Sequence, residues 1–168
     1  MRRNPDGFGK LFHRYCQPLV NFARRFVRDT QIAENIVQDV FLKVWMNRTR
    51  LNPSLNIKTY LYIAVKHNAI NYLRHADVKI RSIDALKTMN PHVRTPEDEW
   101  QEKELKVSIR QAIEELPEKC GIIFCMSRYD HLSYAEIAEI QNVSIKTVET
   151  HMGRALKFLR NRLSHLLK

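Results

Sequence analysis

The residues of this chain best suited to chemistry lie near its end. Lys146, Thr147, Glu149, Thr150, Arg154 and Lys157 follow one another at short, regular intervals. Ammonium, guanidinium and hydroxyl groups donate hydrogen bonds, and an ionised carboxylate accepts them. On one helix such a set can meet phosphates and the edges of bases. Two local signals position it. Ser133 and Glu136 have the spacing of a capping box, so a short helix starts there with Ile137, Ala138 and Ile140 on its apolar side. Gln141-Asn142-Val143 makes a tight connection, and Asn tolerates the left-handed conformation that ends many helices. Ser144 can cap a second helix. Its spacing predicts Ile145, Val148, Met152, Ala155, Leu156, Leu159 and Leu163 on one buried stripe, with Lys146, Thr147, Thr150, Arg154 and Lys157 opposite. Two short helices joined by a turn, the second basic outside, fit an element that enters a DNA major groove. An ordinary helical hairpin with a solvated basic face would show the same pattern.

Two further sets stand in the first half. On a helix capped by Asp29-Thr30, the spacing buries Ile32, Ile36, Val37, Val40, Phe41, Val44 and Trp45. Glu34, Asn35, Gln38, Asp39, Leu42 and Lys43 then face outward, and one Leu among polar groups hints at a docking surface. A later helix, about Lys58 to His75, turns Leu61, Tyr62, Val65, Ala69, Tyr72 and Leu73 inward. Tyr60, Lys66, His67, Asn71 and Arg74 lie outside or on its flanks. Rings mixed with amides and cations can stack on unpaired bases and hold phosphates. A tyrosine-rich helix packed in a bundle is the other reading.

Catalytic constellations are missing. The seven histidines form no H-E-x-x-H pair, and no phosphate-cradling glycine loop appears. Asp29, Glu34 and Asp39 fall on separate helical faces, where capping or docking accounts for them. We expect no enzyme, metal, cofactor or small-molecule substrate. Cys16, Cys120 and Cys125 are an odd set without C-x-x-C spacing, compatible with a reducing cytosol. No apolar run follows the first residues and none would span a bilayer, so a cytoplasmic location is expected.

The elements that carry these sets are helices. Gly numbers only 4, and the aliphatic residues recur at helical rather than alternating spacing. The expected fold is all-α. Lys and Arg number 28 against 18 Asp and Glu, and that excess of +10 favours a polyanionic or acidic partner. A first helix should run from about Phe8 to Phe26, kinked at Pro18. Asn52-Pro53-Ser54 marks a loop within Arg48–Ile57. Periodicity fails from about Ala76 to Arg94, which predicts a linker between two helical domains. Thr95-Pro96-Glu97-Asp98 has the form of a helix start, and that helix ends at Leu116-Pro117. A further helix runs from about Glu118 to Tyr129. The expected division is 1–76, linker 77–94, and 95–168.

Together these pieces resemble the extracytoplasmic-function sigma factors of bacterial RNA polymerase, in the forms common in Bacteroidetes-type bacteria. The first half carries the likeness in Phe22-Ala23-Arg24-Arg25-Phe26-Val27, in Ala33-Glu34-Asn35-Ile36-Val37-Gln38-Asp39-Val40-Phe41-Leu42-Lys43-Val44-Trp45, and in Lys58-Thr59-Tyr60-Leu61-Tyr62 and Asn71-Tyr72-Leu73-Arg74-His75. The second half carries it in Leu116-Pro117-Glu118-Lys119-Cys120, Leu132-Ser133-Tyr134-Ala135-Glu136-Ile137-Ala138, Lys146-Thr147-Val148-Glu149 and Arg154-Ala155-Leu156.

The resemblance implies a sigma-two domain and a sigma-four domain, and an alternative sigma factor that directs promoter-specific initiation. It implies that Asn35, Gln38, Asp39 and Leu42 dock on the clamp coiled coil of the largest catalytic subunit. Lys58, Tyr60, Lys66, His67, Asn71 and Arg74 would melt and hold the -10 element. Lys146, Thr147, Glu149, Thr150, Arg154 and Lys157 would read the -35 element. Other implied partners are the polymerase flap and an anti-sigma factor at the inner membrane. His67 stands where the family pattern suggests Asn, Gln141-Asn142 replaces a Leu-Gly-like turn, and Gly153 takes a bulkier residue's place. A free-standing helix-turn-helix regulator is the alternative. It accounts for the C-terminal unit and the charge, and leaves the Gln38-Asp39 face and the aromatic third helix unexplained.

Overall fold

The computed structural model describes residues 5–48, 56–80 and 100–164. Among them are α1 (Pro5–Val27), α2 (Thr30–Met46), α3 (Ile57–Ile80), α4 (Trp100–Glu114), α5 (Glu118–Arg128), α6 (Tyr134–Gln141) and α7 (Ile145–Arg162). The chain divides into two compact units, Met1–Ala85 and Leu86–Lys168. The Asn52-Pro53-Ser54 loop, most of the expected linker and the helix start at Thr95-Pro96 lie outside the described residues.

In the first unit, α1 packs on α2 and α3. Leu19, Val20, Phe22 and Ala23 meet Ala33, Ile36, Val37, Val40, Phe41 and Val44 of α2 and Leu61, Tyr62, Val65 and Ala69 of α3 in one buried set. Each large aliphatic or aromatic side chain buried this way contributes about 1.5–3 kcal/mol. Phe22 anchors the set, edge-on to Tyr62 at 5.0 Å and to Phe26 at 5.2 Å. α1 runs on through Pro18, whose ring removes one backbone donor. Its end is made by Arg28, in the left-handed region at φ 57°. The Arg28 amide still donates to the Arg24 carbonyl at 3.0 Å. Asp29 then caps α2, its carboxylate accepting from the Ile32 amide at 2.9 Å.

The third helix departs from expectation at its far end. It continues to Ile80, past the expected stop at His75, so residues 77–80 of the expected linker are helical. Ala76-Asp77-Val78-Lys79-Ile80 holds no Gly, Pro or C-cap signal to stop it. Tyr72, expected inside, is 40% exposed; it lies about a turn beyond Ala69, which is fully buried. Ile32, Trp45 and Leu73 are half-buried.

The second unit forms around α7. Val148, Met152, Ala155 and Leu159 bury against Cys120, Ile123, Phe124 and Met126 of α5 and Ile137, Ala138 and Ile140 of α6. The caps are as the sequence predicts. The Glu136 amide donates to Ser133 Oγ at 3.2 Å, and the Ser133 amide donates to Glu136 Oε2 at 2.8 Å. Asn142 takes the left-handed conformation, φ 55° and ψ 51°, and closes α6. Ser144 Oγ accepts from the Thr147 amide at 3.1 Å and opens α7. Arg162, at the end of α7, forks onto Glu115 with 2.7 and 3.0 Å contacts. The buried stripe of α7 is narrower than expected. Ile145 and Leu156 are 48% and 39% exposed, because α5 and α6 cover only the side centred on Val148, Met152 and Ala155. Cys16, Cys120 and Cys125 are not disulfide-bonded.

Candidate functional site

Three faces gather most of the residues singled out from the sequence. The first is on α2. Its buried positions leave Asn35, Gln38, Asp39 and Leu42 on the outer side, one to two turns apart, and all four are exposed. Leu42 is 55% exposed, at the edge of a groove of about 520 Å³ between α1 and α2. Phe8, Gly9, Phe12, Phe41 and Trp45 line it, with Gln38 and Leu42 on its rim. Phe8 sits 4.9 Å from Trp45, and Phe12 4.9 Å from Phe41, ring centre to ring centre. The face is therefore a polar row beside an aromatic hollow, an apolar centre with a polar rim. The sequence reading placed the aromatic residues in helix stripes and missed the hollow. Its signal was four large rings converging from two adjacent helices.

The second face is on α3. Tyr60, His67, Asn71 and Arg74 fall within about 60° of arc along the helix, on the side away from Leu61, Tyr62, Val65 and Ala69. Tyr60 is half-buried and the other three are exposed. Lys58 and Lys66 do not join them. Both are half-buried on other sides of α3, and burial holds the Lys66 ammonium below its ordinary pKa. The start of α3 also buries Thr59, whose hydroxyl has no hydrogen-bond partner among the described residues.

The third face is the outer side of α7. Lys146, Thr150, Arg154 and Lys157 form one exposed row. Gly153 lies within it, and a Cβ there would meet nothing within 4 Å. Thr147 is half-buried and shares its hydroxyl with Ser144 at 2.9 Å, so it serves the cap. Thr150 Oγ1 donates to the Lys146 carbonyl at 2.8 Å, which leaves its oxygen lone pairs for a donor. Glu149 stands beside the row and pairs with Lys146 at 3.4 Å. Both side chains are well exposed, so the pair is weak and exchangeable. Behind the row, His151 Nδ1 lies 3.5 Å from Cys120 Sγ and ties α7 to α5. The row thus projects from a helix fixed on its inner side and capped at its N-terminus, a geometry suited to a DNA groove. Among the described residues no three His, Cys, Asp or Glu side chains gather as metal ligands would. No helix among them is long and apolar enough to cross a membrane.

Comparison with known proteins agrees across both units. A family model described as sigma-70 region 2 matches residues 11–78, and one described as sigma-70 region 4 matches residues 106–159. The ECF RNA polymerase sigma factor SigW of Bacillus subtilis (strain 168) is 26% identical over 170 residues, spanning 96% of this chain and 91% of the relative. The ECF RNA polymerase sigma-E factor of Haemophilus influenzae is 28% identical over 169 residues, spanning 95% of this chain and 89% of the relative. Among solved structures, the sigma factor RpoE in complex with the anti-sigma factor NepR, from Bartonella quintana, has the same fold. Its TM-score is 0.71 at 18% identity, over 94% of this chain and 97% of that one.

Proposed function

Because the chain belongs to the extracytoplasmic-function group of sigma-70 factors, which bind core RNA polymerase and direct promoter-specific initiation, we propose that its three exposed faces divide that work. Asn35, Gln38, Asp39 and Leu42 dock on the clamp coiled coil of the largest catalytic subunit. Tyr60, His67, Asn71 and Arg74 hold unpaired bases of the -10 element, with Lys58 and Lys66 at the margin toward phosphate. Lys146, Glu149, Thr150, Arg154 and Lys157 read the -35 duplex, and Thr147 positions that helix through its cap. Residues 1–76 serve as the sigma-two domain and 95–168 as the sigma-four domain, the latter also reaching the flap. The chain acts in the cytoplasm without catalysis of its own. An anti-sigma factor at the inner membrane restrains it, a proposal supported by the anti-sigma partner of the Bartonella protein.

The observation that carries this division is the basic row on a doubly capped helix-turn-helix, in a chain whose other unit offers a separate polar and aromatic face. A free-standing regulator would leave that second unit unused. The test compares duplex promoters with pre-melted bubbles, using the chain and core polymerase. Each lost base–aromatic stack costs about 1–3 kcal/mol. Tyr60→Ala, which removes such a stack, and Asn71→Ala, which removes amide hydrogen bonds to an unpaired base, should impair initiation on duplex far more than on the bubble. Equal impairment on both would assign these residues to packing instead.

A further inference from the structure

Two aliphatic side chains at the tip of the groove-facing helix have no place in the core. Val143, in the turn before α7, is 40% exposed, and Ile145, the first residue of α7, is 48% exposed. Ser144 between them is the N-cap. Side chains on a helix lean toward its N-terminus, so Ile145 covers the turn that carries Val143. The two therefore make an apolar tip ahead of Lys146 and Thr150. Single exposed aliphatic residues are common on protein surfaces, but these two flank the N-cap of one helix and form a small apolar patch there. The surroundings specify the cover. The tip adjoins Lys146, the first cation of the exposed α7 row, and the α7 N-terminus carries the positive end of the helix dipole. That electrostatic frame suits a phosphate-flanked groove. The apolar group that a major groove offers is the 5-methyl of thymine.

We propose that Ile145, with Val143, reads thymine in the upstream duplex by packing on its 5-methyl group. The proposal rests on α7 being the helix that enters the groove, and adds to it a specificity determinant without hydrogen bonds. Lys146, Glu149 and Arg154 distinguish donors from acceptors, whereas Ile145 distinguishes a methylated from an unmethylated pyrimidine edge.

The chain with core polymerase first selects its promoters from a library randomised over the upstream duplex. Each thymine of the selected element is then replaced by uracil, which lacks only the methyl. At one or two positions uracil should weaken complex formation roughly fourfold, the factor that one buried methyl supplies. Ile145→Ala and Val143→Ala should lose that sensitivity, and Ile145→Val should keep it. Both residues are exposed, and unchanged thermal melting verifies that each variant is folded. Uracil tolerated at every position, or an undiminished uracil penalty in both alanine variants, overturns the proposal and leaves α7 as a reader of the other groups. Weaker core binding by Ile145→Ala in the absence of DNA also overturns it, by assigning the tip to a protein partner. Selection of no upstream preference at all overturns both this proposal and the reading of α7.

Discussion

Thr59 holds a hydroxyl that is 1% exposed and has no hydrogen-bond partner among the described residues. Such a group keeps its desolvation cost without return, on the order of 1–3 kcal/mol. Thr59→Val retains the branched shape and removes the oxygen, so it should raise stability by about 1 kcal/mol in thermal or urea unfolding. A loss of stability would mean that the hydroxyl is satisfied after all. On α7 the decisive residues are Glu149 and Arg154. The Lys146–Glu149 pair is exposed and screened, so it does not keep Glu149 from a cytosine amino group. Glu149→Ala and Arg154→Ala should each cost roughly 1–3 kcal/mol at one upstream base pair and change the base preferred there. Lys157→Ala should weaken all promoters alike and lower the salt slope by about one unit. A promoter selection run with each variant separates these roles, and an unchanged preference for both Glu149→Ala and Arg154→Ala would defeat direct readout.

At the scale of elements, the helix ends were legible and the helix sides only partly so. Ser133 with Glu136, Asn142, Ser144 and Asp29 satisfy backbone groups within three or four residues of themselves, and a local rule reads such bonds directly from sequence. Sides depend on what lies across from them. Ile145 and Leu156 keep an apolar period but extend past the reach of α5 and α6, and Tyr72 keeps the period of α3 yet is 40% exposed. The aromatic hollow by Leu42 is a gap between two helices, and no period within either one reports a gap. The proposed docking role of α2, beside that hollow and its polar rim, carries a prediction at this scale. Asp39→Arg and Leu42→Glu change exposed residues, which typically moves stability by about 0.5 kcal/mol or less. Both should nevertheless weaken binding to core polymerase, measured by fluorescence titration alongside melting temperature. Full core affinity in both variants would remove the assignment. The end of α7 is held to the segment after α4 by Arg162, whose fork keeps the Glu115 carboxyl below its ordinary pKa. A lowered carboxylate pKa stabilises the folded state above the ordinary carboxylate range, and the effect fades as pH falls through the folded value. Glu115→Gln should therefore lower the melting temperature slightly at neutral pH and not in strong acid. Both groups are exposed, so high salt should also shrink the difference. A difference that is constant from neutral to acid would contradict the pairing.

Over the whole molecule, the two units present different chemistry. The first carries an aromatic hollow with a polar rim and a row of Tyr60, His67, Asn71 and Arg74; the second carries a capped helix with an exposed basic row. The +10 excess of the chain suits a polyanion and supplies attraction that is independent of sequence. The family and the two-unit helical organisation were legible because the Ile36-Val37-Gln38-Asp39-Val40-Phe41 block and the capped helix-turn-helix occur together in one chain. The base preferences were not, because under the proposed readout they depend on where α7 would settle in the groove. The central claim is that the chain confers promoter choice only as part of holoenzyme, through both units at once. The direct measurement is run-off transcription from a randomised promoter library, with purified chain and core polymerase together and each alone. The account predicts RNA from one promoter class, with an upstream and a downstream element at fixed spacing, only when both proteins are present. Selective binding of duplex by the chain without core, with no promoter-specific RNA when core is added, would contradict it.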